Sequence, residues 1–205
     1  MTGPVVGDDG LPRCPWGDSP ADYRAYHDDE WGRAVHGDSA IFERLSLEGF
    51  QAGLSWLTIL RRRAHFREAF AGFDVGRVAA FDESDVERLA TDPRLIRHRG
   101  KVEAVIGNAR VLRRWQEEDG QWVLDALVWS CRVERPPPRV MSDVPTQTGE
   151  AVLLTERLRH RGWRFIGPTS AYAALQAMGV TDDHLVGCHA RSGVTRSSGD
   201  SPDRE

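Results

Sequence analysis

Four residues of this chain could together hold a metal ion. Cys14 and His27 stand near its start, His184 and Cys188 near its end, and two thiolates with two imidazoles complete a tetrahedral donor set of the kind zinc favours. His184 and Cys188 are four residues apart, so one helical turn would present both together. With four protein donors no position is left for water, and such an ion would be structural rather than a catalytic Lewis acid. Spacing alone leaves alternatives open. Cys14-x12-His27 is not a zinc-knuckle spacing, His-x3-Cys also suits an ordinary surface or core pair, and His189 could take the place of His184. The third cysteine, Cys131, lies among apolar neighbours and reads as a buried thiol.

The elements that must position these residues read as one all-α chain, because apolar residues recur at helical spacing and period-two runs are scarce. Asp38 is expected to cap a helix through Ile41, Phe42 and Leu45, and Ser55 one that runs through Trp56 and Ile59 to Phe70. Ser84-Asp85-Val86-Glu87 has the pattern of a capping box, and Asp92-Pro93 that of a further helix start. Val102, Val105, Ile106, Ala109 and Leu112 mark an amphipathic helix from Lys101 to about Glu118, ended by Gly120. The prolines 136–138 predict an extended crossover. Two more helices are expected around Ala151–Leu158 and from Ser170 to Met178. Residues 1–11 and 192–205, rich in Gly, Ser, Asp and Pro, are expected to be disordered tails around a single helical domain, 12–191.

Composition narrows the setting. The 205 residues demand no second core, and three cysteines argue against a disulfide framework. No apolar run approaches the roughly 18–20 residues needed to cross a bilayer, and the first residues lack a leader pattern. A soluble, cytoplasmic monomer without a membrane partner is expected. The formal net charge of −4 does not announce a nucleic-acid binder, yet from Arg94 to Arg114 basic residues face Glu103 alone, which suits either a phosphate-facing surface or a solvated helix face.

Several motifs carry a specific resemblance. Arg13-Cys14-Pro15-Trp16, Tyr23-x-x-Tyr26-His27-Asp28-x-Glu30-Trp31-Gly32, Leu47-Glu48-Gly49-x-Gln51-Ala52-Gly53-Leu54-Ser55-Trp56, Ile96-Arg97-His98-Arg99-Gly100-Lys101, Ile106-Gly107-Asn108-Ala109-Arg110 and Asp183-His184-x-Val186-Gly187-Cys188 resemble the DNA-3-methyladenine glycosylase I family of helix-hairpin-helix base-excision enzymes. The resemblance implies an all-α helix-hairpin-helix glycosylase fold, a structural zinc ion on Cys14, His27, His184 and Cys188, and hydrolytic release of 3-methyladenine from alkylated double-stranded DNA.

It also implies roles. Such an enzyme flips the base into a pocket and reads it by stacking and by hydrogen bonds to its edge. Tyr26 and Trp56 would sandwich the base, Trp16 and Tyr23 would shape the pocket, and Glu48 would accept a hydrogen bond from the exocyclic amine. Trp31 reads equally well as core. Arg97, Arg99, Gly100 and Lys101 would form the phosphate-holding hairpin, and Gly53-Leu54 would enter the gap the base leaves. Lys101 is the only lysine, and Asp119 follows it by a spacing resembling that of the bifunctional lyases, but a phosphate contact for Lys101 and a helix end at Asp119 are the readings adopted. A rival reading is a zinc-stabilised DNA-binding module without catalysis. A zinc nucleobase deaminase is excluded, since His-x-Glu and Cys-x-x-Cys are both missing.

Overall fold

The computed structural model describes residues 2–191. Among these residues the chain forms nine α-helices and one two-stranded ribbon: α1 Ala21–Asp29, α2 Asp38–Gln51, α3 Trp56–Ala69, α4 Val75–Ala79, α5 Glu83–Thr91, α6 Arg99–Asp119, α7 Val123–Trp129, α8 Gly149–His160 and α9 Pro168–Ala177. The expected helical architecture is present. α2 lies at the centre, against α3, α6, α7 and α9, while α4 and α5 cover α6. Phe42, Phe50, Phe66, Phe70, Leu112 and Leu158 are fully buried in a continuous core, and each such side chain contributes about 1.5–3 kcal/mol.

Helix starts depart from expectation in three places. Asp38 does not cap its own helix: Gly37 is the N-cap, and the Asp38 carboxylate accepts from the backbone N–H groups of Leu124 (3.0 Å) and Asp125 (2.9 Å). It thereby satisfies donors at the start of α7, an element without an obvious sequence signal. The capping box of α5 runs from Asp82 to Asp85 rather than from Ser84. No helix starts at Pro93, because Asp92 caps only a tight turn, accepting from Arg94 N at 2.8 Å. The crossover over residues 132–138 is extended, as three prolines require.

The ends differ as well. Within the expected tail 1–11, residues 5–11 are instead held: β1 Val5–Val6 pairs antiparallel with β2 Pro12–Arg13 around a turn in which Gly10 has φ +78°, the left-handed geometry an Asp-Gly turn supplies. The Arg13 guanidinium, 2 % exposed, bonds both Asp9 (2.6 Å) and Asp28 (2.7 Å), which locks this ribbon to α1. Residues 192–205, expected as the second tail, lie outside the described residues.

Candidate active site

Two adjacent sites share a wall. The first brings together Cys14, His27, His184 and Cys188, all buried, with every donor atom within 4.8 Å of the others. Cys14 Sγ lies 3.8 Å from His184 Nδ1, and Cys188 Sγ lies 3.5 Å from both His184 Nδ1 and His27 Nε2. Metal bonds of about 2.3 Å to sulfur and 2.0–2.1 Å to nitrogen at tetrahedral angles require S···N separations of about 3.6 Å. The three S···N separations given match that value to within about 0.2 Å, and the donor set could hold a tetrahedral ion.

The second ring nitrogens are fixed too. His27 Nδ1 is 2.8 Å from Asp28 Oδ1, and His184 Nε2 is 3.1 Å from the Trp31 carbonyl, so each imidazole turns its remaining nitrogen toward the thiols. His189 is not in the tetrad; its Nε2 meets Asp28 at 3.0 Å. Hydrogen bonds from Cys14, His184 and His27 hold the Cys188 thiol well below the ordinary cysteine range. Gly17 is required by this packing, since a Cβ there would lie 2.3 Å from the His27 ring. The His184–Cys188 segment is a turn, not the helical turn expected, with Gly187 at φ +88°.

The second site is a cavity of about 270 Å³ lined by Trp16, Tyr23, Tyr26, Trp31, Glu48, Gln51 and Trp56. Trp16 contacts His27 edge-on (5.1 Å between centroids) and Trp31 contacts His184 likewise (4.6 Å), so two pocket walls rest on the rings of the tetrad. Trp31 thus belongs to the pocket, half-buried, rather than to the core. The Tyr23 hydroxyl accepts from Leu57 N at 3.1 Å, fastening α1 to the first turn of α3, which carries Trp56. Tyr26 and Trp56 are not held open as a sandwich. Their centroids are 5.4 Å apart at 44°, and a ring stacked between two faces needs about 7 Å.

Glu48 is buried, and no hydrogen bond reaches its carboxylate among the described residues. Burial pushes its carboxyl up to about 8, opposed only by the Arg44 charge one turn earlier on α2. Tyr26 is likewise raised, by burial first and by Glu48 second. Met141, Val144, Ala173, Gln176 and Asp183 complete the lining. Of these, only Asp183 fell within a sequence motif. Its carboxylate accepts from the Tyr172 hydroxyl and from Gln176 Nε2.

The turn between α5 and α6 forms a helical hairpin that lines no part of this cavity. Arg97 and Arg99 are exposed on it, and Arg99 is engaged by Glu83, Glu87 and Glu103. Arg62, outside the expected DNA-contact set, donates to the carbonyls of Pro93, Arg94 and Leu95 and braces the turn. Gly53 (φ +83°) and Leu54 (43 % exposed) form the projecting loop between α2 and α3. Lys101 does not point outward. It is 6 % exposed, and its ammonium donates to the carbonyls of Phe50 (2.8 Å) and Ala52 (2.7 Å), which corrects its expected role as a phosphate contact.

An aromatic cavity lined by two buried carboxylates, Asp183 engaged by Tyr172 and Gln176 and Glu48 without a hydrogen bond among the described residues, gives this helical protein a site whose chemistry suits a planar, amine-bearing ring. Comparison with known proteins agrees. Residues 16–192 match the Methyladenine glycosylase family model. The chain is 43 % identical over 181 residues to DNA-3-methyladenine glycosylase 1 of Escherichia coli (strain K12), covering 87 % of this chain and 96 % of that protein. A crystal structure of 3-methyladenine DNA glycosylase I superimposes with a TM-score of 0.81 at 41 % identity, over 87 % of this chain and 99 % of the other. The Staphylococcus aureus 3-methyladenine DNA glycosylase I, whose structure describes 3-methyladenine recognition, gives 0.81 at 33 % identity, over 87 % and 96 %. The chain belongs to the methyladenine glycosylase family.

Proposed function

We propose that this protein excises 3-methyladenine from alkylated double-stranded DNA by hydrolysing the N-glycosidic bond, as a monofunctional enzyme of the helix-hairpin-helix superfamily acting as a soluble cytoplasmic monomer. The observation that carries the proposal is Glu48, a buried carboxylate without a hydrogen-bond partner among the described residues, in an aromatic cavity.

The flipped base parts the Tyr26–Trp56 wedge by roughly 1.5–2 Å and stacks on both rings, with Trp16 and Tyr23 as the remaining walls. Methylation at N3 places positive charge on adenine, which the ring faces attract. It also makes the base a neutral leaving group on cleavage, so little activation of water is required. In the empty pocket Glu48 is largely protonated at neutral pH, and a cationic base beside it restores the charged form, which accepts from the exocyclic amine. Uncharged adenine offers no such restoration, and this difference supplies selection.

Cys14, His27, His184 and Cys188 hold one zinc ion, which cross-links the chain ends and stabilises the pocket wall; as the donor set is complete, it supplies no catalytic chemistry. Arg97 and Gly100 hold backbone phosphate, Arg99 joins them by exchanging its glutamate partners for phosphate, and Gly53-Leu54 fills the gap left by the base. Absence of lyase activity is supported by the fold: Lys101 and Asp119 lie eighteen residues apart on one continuous helix, about 27 Å from each other. Incubation with methylated duplex DNA tests the proposal. Release of 3-methyladenine, with 7-methylguanine retained, is expected; a protein that binds DNA and releases neither base would be the non-catalytic module.

A further inference from the structure

Lys101 is the single lysine of a chain that otherwise uses arginine for every strong cation, and it is buried. A compact ammonium with three rotatable donors serves two carbonyls in a smaller buried volume than a planar guanidinium, whose fixed fork is bulkier. The carbonyls it serves, those of Phe50 and Ala52, lie in the last turn and at the C-cap of α2. These groups have no intrahelical partner, and they form the negative end of the helix dipole, where a cation is favoured.

What flanks this clamp matters more than the clamp itself. Glu48 and Gln51, both lining the cavity, stand on the same last turn, and the Gly53-Leu54 loop begins one residue beyond Ala52. Ser55 then caps α3, whose first residue is Trp56. On the other side, Lys101 is the third residue of α6, and its own N–H donates to the side chain of His98, the N-cap at the hairpin. One side chain therefore joins the hairpin to the segment that carries the carboxylate, the projecting loop and an aromatic wall.

We infer that Lys101 is a positioning residue: from the hairpin it fixes the end of α2, and with it the orientation of Glu48 and the Gly53-Leu54 loop, without touching DNA. The inference rests on the proposed glycosylase function. Burial also holds the Lys101 ammonium below its ordinary pKa, in keeping with an interior site.

Single-turnover excision by Lys101→Met, beside the affinity of the same variant for undamaged duplex, reads this role. A tenfold or greater loss of excision rate with duplex Kd within twofold of wild type is expected, and Lys101→Arg is expected to restore less than half of that loss. An excision rate equal to wild type would overturn the inference, as would a weakened Kd whose salt dependence falls by about one phosphate contact. Reductive methylation of the wild-type protein decides the matter even where the variants fold poorly, because Lys101 is the only side-chain amine. Slow labelling that saturating duplex leaves unchanged is expected. Rapid labelling that duplex suppresses would return Lys101 to the phosphate-binding surface. A wild-type protein that releases no methyladenine would defeat the glycosylase proposal and leave the labelling result standing on its own.

Discussion

Cys14 Sγ lies 3.8 Å from His184 Nδ1 across 170 residues of sequence. This contact joins the ends of the described chain, and the rings beside it, Trp16 and Trp31, are walls of the pocket. Removing the metal should therefore reach the pocket through packing. Cys188→Ser is expected to lower bound zinc from one equivalent to well under half, measured by atomic emission. Loss of a structural metal costs at least about 4 kcal/mol, which for a chain of this size lowers the melting midpoint by roughly 8–16 °C. Undiminished zinc in the variant would remove these residues as ligands.

Glu48 links stability to pH with a definite sign. Its folded carboxyl is pushed up to about 8 from an ordinary 4.5, so the folded state holds a proton that the unfolded chain has released. Its contribution is most favourable below pH 4.5, declines as pH rises, and levels off above 8 at a cost of roughly 4–5 kcal/mol. Glu48→Gln is expected to match wild type in melting temperature near pH 4.5 and to exceed it at pH 8.5. Parallel curves for the two proteins across that range would show that the carboxyl is not desolvated.

Much of this was legible in the sequence, and the reasons are physical. Helices with one apolar face, such as α6, show in the 3.6-residue period because that face alone is buried. α7 escaped notice because its start is capped by Asp38, which lies 86 residues earlier than Leu124. The pocket aromatics and Glu48 cluster in motifs, whereas Met141, Val144 and Ala173 arrive through long-range packing of the crossover and α9. Lys101 was misread because its neighbours Arg97 and Arg99 are exposed; the side chain's direction is set by the carbonyls of α2.

The same inward orientation bears on abasic DNA. Borohydride trapping needs an amine that reaches the sugar carbon. With Lys101 buried and remote from Asp119, no covalent protein–DNA adduct is expected on an abasic duplex after electrophoresis under denaturing conditions. A trapped species lost in Lys101→Met would reveal lyase activity.

Arg62 offers a test of the hairpin that avoids the pocket. Its guanidinium donates to three turn carbonyls, from Pro93 to Leu95. Arg62→Ala is expected to destabilise the protein by about 1–2 kcal/mol and to weaken duplex binding several-fold by loosening the turn, with binding of free 3-methyladenine unchanged. Arg97→Ala should weaken duplex binding with little loss of stability and reduce the salt slope by about one. Wild-type duplex affinity in both variants, measured by fluorescence anisotropy, would place the DNA contact elsewhere.

The most direct measurement is single-turnover release of 3-methyladenine from alkylated duplex by wild type and Glu48→Gln side by side, with folding checked by circular dichroism and duplex affinity by anisotropy. Wild type is expected to release 3-methyladenine, and Glu48→Gln to release it at least tenfold more slowly while folding and binding duplex normally. Equal rates in the two proteins would contradict the assignment of Glu48 as the group that selects the base.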